Sequence, residues 1–294
     1  MEGKALASDE IQVCVLICVA ISGALVGTFL VLRRMTMLAN ALSHTLLIGI
    51  ISAYLLMRGL SKGEEALSLP TLIIASLMAG LLTTFLTQFL TYIIKLQEDA
   101  SIGLVFSILF ALAIVLISTS ARNLPIGTDL VMGNVDALKV QDLRGISLIL
   151  VMHLALFLFL FQGFKVTTFD PQLARALGFS PLFFNYLLMI QTSATAIGGF
   201  RAVGMLMILA FLIIPVLIAR FLTHSLLKLM GWAVGIGIAA SALGVALSRH
   251  ILTIYRVGLS TGGIVVILLG VAYLAILIFT KIAEWIARNQ LRAH

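Results

Sequence analysis

The sequence predicts an all-α, polytopic membrane protein, and three observations carry that prediction. Of 294 residues, 61% are hydrophobic and 11% charged, whereas a water-soluble domain carries roughly a quarter charged residues. Apolar runs of about 20 residues recur along the whole chain, each long enough to cross a hydrocarbon core about 30 Å thick. None of these runs contains an Asp or a Glu.

Read between charged breaks, the runs give nine spans, at about 11–32, 38–57, 70–94, 101–118, 145–163, 181–200, 202–219, 229–248 and 259–280. Counts of eight to ten fit the same pattern, because boundaries read this way are good to a few residues. The whole chain, 1–294, reads as a single transmembrane domain. An odd number of spans puts the termini on opposite sides. Placing the amino terminus outside leaves ten Lys/Arg in inner segments against nine in outer ones, so the charge bias alone scarcely orients the chain. The Arg33–Arg34 pair and the basic tail favour this orientation. Met1–Glu10 carries three acids and one lysine, which predicts no cleavable signal peptide.

Taken in order, the first span holds both cysteines, Cys14 and Cys18, one turn apart. They read as small apolar fillers, since a zinc site or disulfide framework needs partners the chain lacks. The second span follows Arg33 and Arg34, read as anchors at the inner membrane boundary, with Met35 and Met37 as packing residues. On it, Asn40, Ser43 and His44 stand at i, i+3 and i+4, so they share one helix face. Imidazole, hydroxyl and amide groups are donors for a divalent transition ion. They serve equally as interhelical hydrogen-bonding groups, worth roughly 0.6 kcal/mol each in membranes. The spacing leaves both readings open.

The third and fourth spans contain no charged residue. Ser118 to Gly145 follows, with turns marked by Pro125, Gly127, Gly133 and Asn134. In the fifth span His153 has no polar neighbour on its face and reads as a packed histidine. Lys165 to Pro181 then has the grammar of a short helix: Asp170 as N-cap, Pro171 at the first helical position and Gly178 as the stop. The sixth span contains "QTSATAIGG", which suits close helix packing or a wet pathway wall. In the seventh, Pro215 removes one backbone hydrogen bond and predicts a kink. The last two spans lead into the basic tail.

Several function classes are excluded. No GxxxxGK[ST], HExxH or GxSxG occurs, so the chain carries no motif for nucleotide, metalloprotease or serine-hydrolase chemistry. The net charge of +7 lies singly or in pairs at the ends of apolar runs, the pattern of membrane flanks rather than a nucleic-acid surface. Proton- or sodium-driven transport usually uses an intramembrane carboxylate, which the nine spans lack, and this argues against self-powered transport. Uphill movement would therefore take its energy from another subunit.

Four stretches together resemble the membrane permeases of bacterial manganese, zinc and iron ABC importers. "RRMTMLANALSHTLLIGI" is similar to that family's arginine pair and "DALSH" element. "DLVMGNVDALKVQDL" resembles its external loop, and "FDPQLARALGFSP" its cytoplasmic coupling segment. "RAVGMLMILAFLIIPVLIARFLT" resembles its glycine- and proline-bearing helix. With "STGGIVVILLG", the likeness runs colinearly through nearly the entire chain.

The resemblance implies a multi-pass permease of the bacterial inner membrane with no permanently bound cofactor. It would work with a second permease subunit, a cytoplasmic ABC ATPase that binds ATP, and an extracytoplasmic metal-binding protein. A divalent metal ion would be the cargo, membrane lipid the surroundings, and nucleic acid no partner. His44 would line the translocation pathway with Asn40 and Ser43 beside it, while Asp170, Pro171, Ala174 and Gly178 would form the segment that couples to the ATPase. One departure stands out: the family's "DALSH" aspartate is Asn40 here. A neutral amide offers a dipole where a carboxylate offers a full charge. That substitution favours a heterodimer, in which a related chain supplies the missing charge, over a homodimer. A permease for a metal chelate, such as a siderophore or cobalamin, is the alternative within transport. A non-transporting scaffold or sensor is the alternative outside it.

Overall fold

Lipid leaves a spanning segment no water to satisfy its backbone, so helices are the form a chain this apolar adopts. The computed structural model describes residues 8–59, 69–120, 135, 138, 140–256 and 258–292. Ten helices occur among them: α1 (Ser8–Leu32), α2 (Thr36–Gly59), α3 (Leu69–Tyr92), α4 (Glu98–Ser120), α5 (Val140–Phe169), α6 (Pro171–Ala176), α7 (Pro181–Val203), α8 (Met205–Leu222), α9 (Leu226–Tyr255) and α10 (Thr261–Arg292). The turn residues Pro125, Gly127, Gly133 and Asn134, and most of the expected external loop, lie outside the described residues.

Nine of these helices are long, and each coincides with an expected span. By length and composition, seven are able to cross a membrane: α1, α2, α4, α5, α8, α9 and α10. In α3 the described apolar stretch is the shorter Leu77–Tyr92. The remaining long helix, α7, carries Asn185, Gln191, Thr192, Ser193 and Thr195, and its polarity sets it apart from the seven. A count of nine spans is thus more than length and hydropathy establish.

Prolines sit where helices tolerate them. Pro70, Pro171 and Pro181 fall in the first turns of α3, α6 and α7, where the missing N–H has no intrahelical partner to lose. Pro215 lies buried inside α8, which continues through it.

Packing places α1 at the centre. It contacts α5, α7, α8 and α9, while α8 also packs on α9 and α10. A second group, α2, α3 and α4, joins the first mainly through α7, which touches α2 and α3 as well as α1 and α5. In the α1–α8 contact the backbones come close. A Cβ added at Gly23 would lie 3.3 Å from the Phe211 backbone, and one at Gly27 would overlap the Leu212 carbonyl. The G-x-x-x-G spacing of Gly23 and Gly27 lets the two backbones approach. Outward faces, for example Leu158 and Phe159 of α5 and Phe279 of α10, are exposed and apolar, as suits contact with lipid tails.

Candidate functional site

The expected site residues fall into two clusters. The first lies on α2, which starts immediately after α1 ends. There Met35 N–H bonds to the Leu30 carbonyl at 2.9 Å and Arg34 N–H to the Val31 carbonyl at 3.2 Å, with Arg34 left-handed at φ 63°. This is the Schellman pattern, which satisfies the last carbonyls of α1 and turns the chain sharply. Packing on α3 then fixes α2. The Thr45 and Thr83 hydroxyls lie 3.0 Å apart, and a Cβ at Gly49 would come within 2.7 Å of the Ala75 carbonyl oxygen.

His44 turns toward α4. Its ring centroid is 5.2 Å from that of Phe106 and 5.2 Å from that of Phe110. Those two rings stack on each other at 5.6 Å. Such aromatic contacts orient an imidazole without using its nitrogens, and His44 forms no hydrogen bond among the described residues. Asn40 and His44 are both half-buried. Ser43 sits between them on the same helix, but its side chain is outside the described ones. Among the described residues no three of His, Cys, Asp and Glu gather to hold a metal. This face therefore offers an ion an imidazole and an amide, only part of the four or more donors a divalent cation takes.

The second cluster is the segment between α5 and α7. Asp170 caps α6 as expected: its Oδ1 accepts from Gln172 N–H at 3.0 Å and Leu173 N–H at 2.9 Å. Pro171 occupies the first helical position. At the other end Gly178 adopts φ +83°, while Gly178 N–H bonds to the Arg175 carbonyl at 3.1 Å and Phe179 N–H to the Ala174 carbonyl at 2.9 Å. A residue with a Cβ is strained at that φ, and glycine is not. Ala174 is fully buried, whereas Leu173, Arg175 and Leu177 are exposed. The helix is thus pinned by one small residue and presents the rest outward. On its α3 side lies an open cleft of about 830 Å³, lined by Phe89, Tyr92, Arg175, Phe179 and Tyr186 among others.

Arg33 differs from the membrane anchor expected of it. Its Nε donates to Thr168 Oγ1 at 2.9 Å, Nη2 to Thr167 Oγ1 at 2.8 Å, and Nη1 to Asn185 Oδ1. The side chain turns inward, to the roots of the α6 segment. No local pattern in the sequence announces these partners.

The remaining polar candidates behave as packing residues. Gly80 abuts Ser193, Gly198 abuts Ile146 and Ile149, and Gly199 abuts Ile208 and Val19; close packing is the use made of the α7 glycines. Thr192 and Thr195 donate to the carbonyls one turn back, of Leu188 at 2.7 Å and of Gln191 at 2.9 Å. His153 is fully buried on α5, with the Gln191 backbone beside its ring.

Residues 10–280 match the ABC 3 transport family. A Chlamydia pneumoniae protein described as a probable metal transport system membrane protein is 39% identical, over 96% of this chain and 86% of its own length. The manganese transport system membrane protein MntD of Bacillus subtilis is 32% identical, over 94% of this chain and 93% of its own. Among solved structures, PsaBC from Streptococcus pneumoniae in complex with Fab superimposes with a TM-score of 0.73 and 26% identity, over 90% of this chain and 89% of that one.

Proposed function

The chain belongs to the ABC 3 transport family, and we propose that it is the permease subunit of an ATP-driven importer that carries a divalent transition metal, manganese, zinc or iron, across the inner membrane. The observation that carries this reading is the pairing, in one chain, of a helix-borne imidazole with a short, capped and exposed helix between two long ones. Names of the relatives agree, since they include transport proteins for manganese, zinc and iron.

The mechanism follows from the two clusters. An ABC ATPase takes up the exposed face of α6, and its nucleotide-driven closure moves that helix as a rigid body. His44, held by Phe106 and Phe110, presents an imidazole nitrogen to the passing ion, and Asn40 adds an amide oxygen. Two donors without a carboxylate bind weakly, which suits transfer rather than storage. A second permease chain facing α2 completes the coordination shell, and with Asn40 in place of a carboxylate a related chain supplies the charge. An extracytoplasmic metal-binding protein delivers the ion from the far side.

The test is to purify the complex through a tag on this chain, identify its subunits by mass, and reconstitute it in proteoliposomes with ATP on the α6 side. Uptake of free manganese, zinc or iron that stops without ATP is the expected result. Uptake of a chelate in preference to every free ion would replace the substrate. Copurification without any ATPase would reject the function.

A further inference from the structure

We propose that Arg33 is the positioning residue that locks the coupling segment to the His44-bearing helix, so that α6 and the start of α2 move as one body. The inference rests on the transport reading for its purpose, but its geometry stands apart from it.

The guanidinium reaches both roots of the segment. Thr167 and Thr168 lie just before Asp170, and Asn185 lies in the first turn and a half of α7, just after Ser180. The hydroxyls are set to accept. Thr167 Oγ1 donates its own proton to the Gly163 carbonyl at 2.7 Å and Thr168 Oγ1 to the Phe164 carbonyl at 2.6 Å, which leaves their lone pairs for a donor-only group. A planar fork of N–H groups meets three acceptors on two helices; the compact ammonium of lysine does not match that geometry.

Arg33 itself stands on rigid backbone. Its N–H bonds to the Phe29 carbonyl at 3.0 Å, Met35 is buried at 3% exposure, and α2 begins at Thr36. No flexible loop separates the clamp from α2. His44 is eight residues into that helix, roughly 12 Å along a stiff rod.

Beneath the clamp the same elements share an aromatic lattice. Phe29 of α1 stacks on Phe157 of α5 at 5.2 Å and meets Phe164 at 5.3 Å, and Phe164 packs edge-on to Phe184 of α7 at 5.1 Å. Phe184 in turn meets Phe179, at the end of the coupling segment, at 5.9 Å. Phe29 and Phe164 are one turn from Arg33 and Thr168, and Phe184 is next to Asn185. Rings and fork therefore tie α1, α5, the α6 segment and α7 at one level, while the α3 side of α6 opens onto the cleft. Force applied to α6 passes through Arg33 to the α1–α2 turn.

The test uses the assembled transporter with Cys14 and Cys18 changed to Ala and spin labels at Phe169→Cys, on α5 immediately before the α6 cap, and Met37→Cys on α2, both exposed positions. The unsubstituted clamp should give one narrow label distance, the same without nucleotide and after trapping with ATP and vanadate. Arg33→Gln, and Asn185→Leu from the other side, should broaden that distance or make it change on trapping. Metal moved per ATP should fall by about tenfold with the loss of these charge-assisted bonds, and the ATPase should still copurify. Arg33→Lys should behave as Arg33→Gln does; if Arg33→Gln is not produced, Arg33→Lys and Asn185→Leu decide. Distances in the variants that superimpose on the parent's would overturn the clamp, as would a parent distance that changes on trapping. A parent that holds its distance yet carries no metal would reject the transport reading and leave the clamp standing.

Discussion

Removing the cap of α6 offers a sharp test of the coupling segment. Asp170 Oδ1 accepts two backbone N–H groups at 3.0 and 2.9 Å, and loss of such a cap to alanine costs about 0.5–2 kcal/mol. The helix has six residues, far below the roughly 12–15 needed for an isolated helix to persist, so nothing within it offsets the loss. At about 1 kcal/mol, the formed population of α6 falls about fivefold relative to the unwound segment. Asp170→Ala should therefore lower metal moved per ATP hydrolysed by up to about that factor, while the chain remains in the membrane at its usual level. Asp170→Asn, which caps equally well, should recover most of the ratio. The assay is paired uptake and phosphate release in the same proteoliposomes. An unchanged ratio for Asp170→Ala would refute the coupling role. A deficit in Asp170→Asn equal to that in Asp170→Ala would show that charge, and not the cap, is what matters.

Three further outcomes are expected. His44→Phe fills the slot between Phe106 and Phe110 without a nitrogen, so the chain should accumulate normally while uptake falls more than about tenfold; retained uptake would make the residue a packing group. Asn40→Asp adds a carboxylate to the same face, and the purified complex should retain more metal by elemental analysis and release it more slowly. Metal content that does not move would place position 40 away from the ion. Gly27→Val drives a side chain into the Leu212 carbonyl, and overpacking of this kind costs about 1–3 kcal/mol. The detergent-solubilised complex should melt earlier, and an unchanged melt would contradict the α1–α8 approach.

Much of this molecule follows from local chemistry. Hydropathy places the helices because the bilayer permits little else. Asp170, Pro171 and Gly178 bound α6 within nine residues of chain, and capping bonds reach no farther than that. The i, i+3, i+4 spacing puts Asn40, Ser43 and His44 on one face whatever packs against it. The polar run of α7 is visible in the sequence too; that its small residues meet Gly80, Ile146 and Ile208 is visible only in the fold.

What only the tertiary structure decided is which faces meet. Arg33 finds Thr167, Thr168 and Asn185 at separations of 134 to 152 residues. His44 finds Phe106 and Phe110 on another helix, and Gly27 finds the Leu212 backbone. In a membrane, leucine facing lipid and leucine facing a neighbouring helix are equally content, so hydropathy marks the helices without marking their partners. An arginine at the end of an apolar run reads as a lipid anchor for the same reason, until the fold brings three acceptors within its reach.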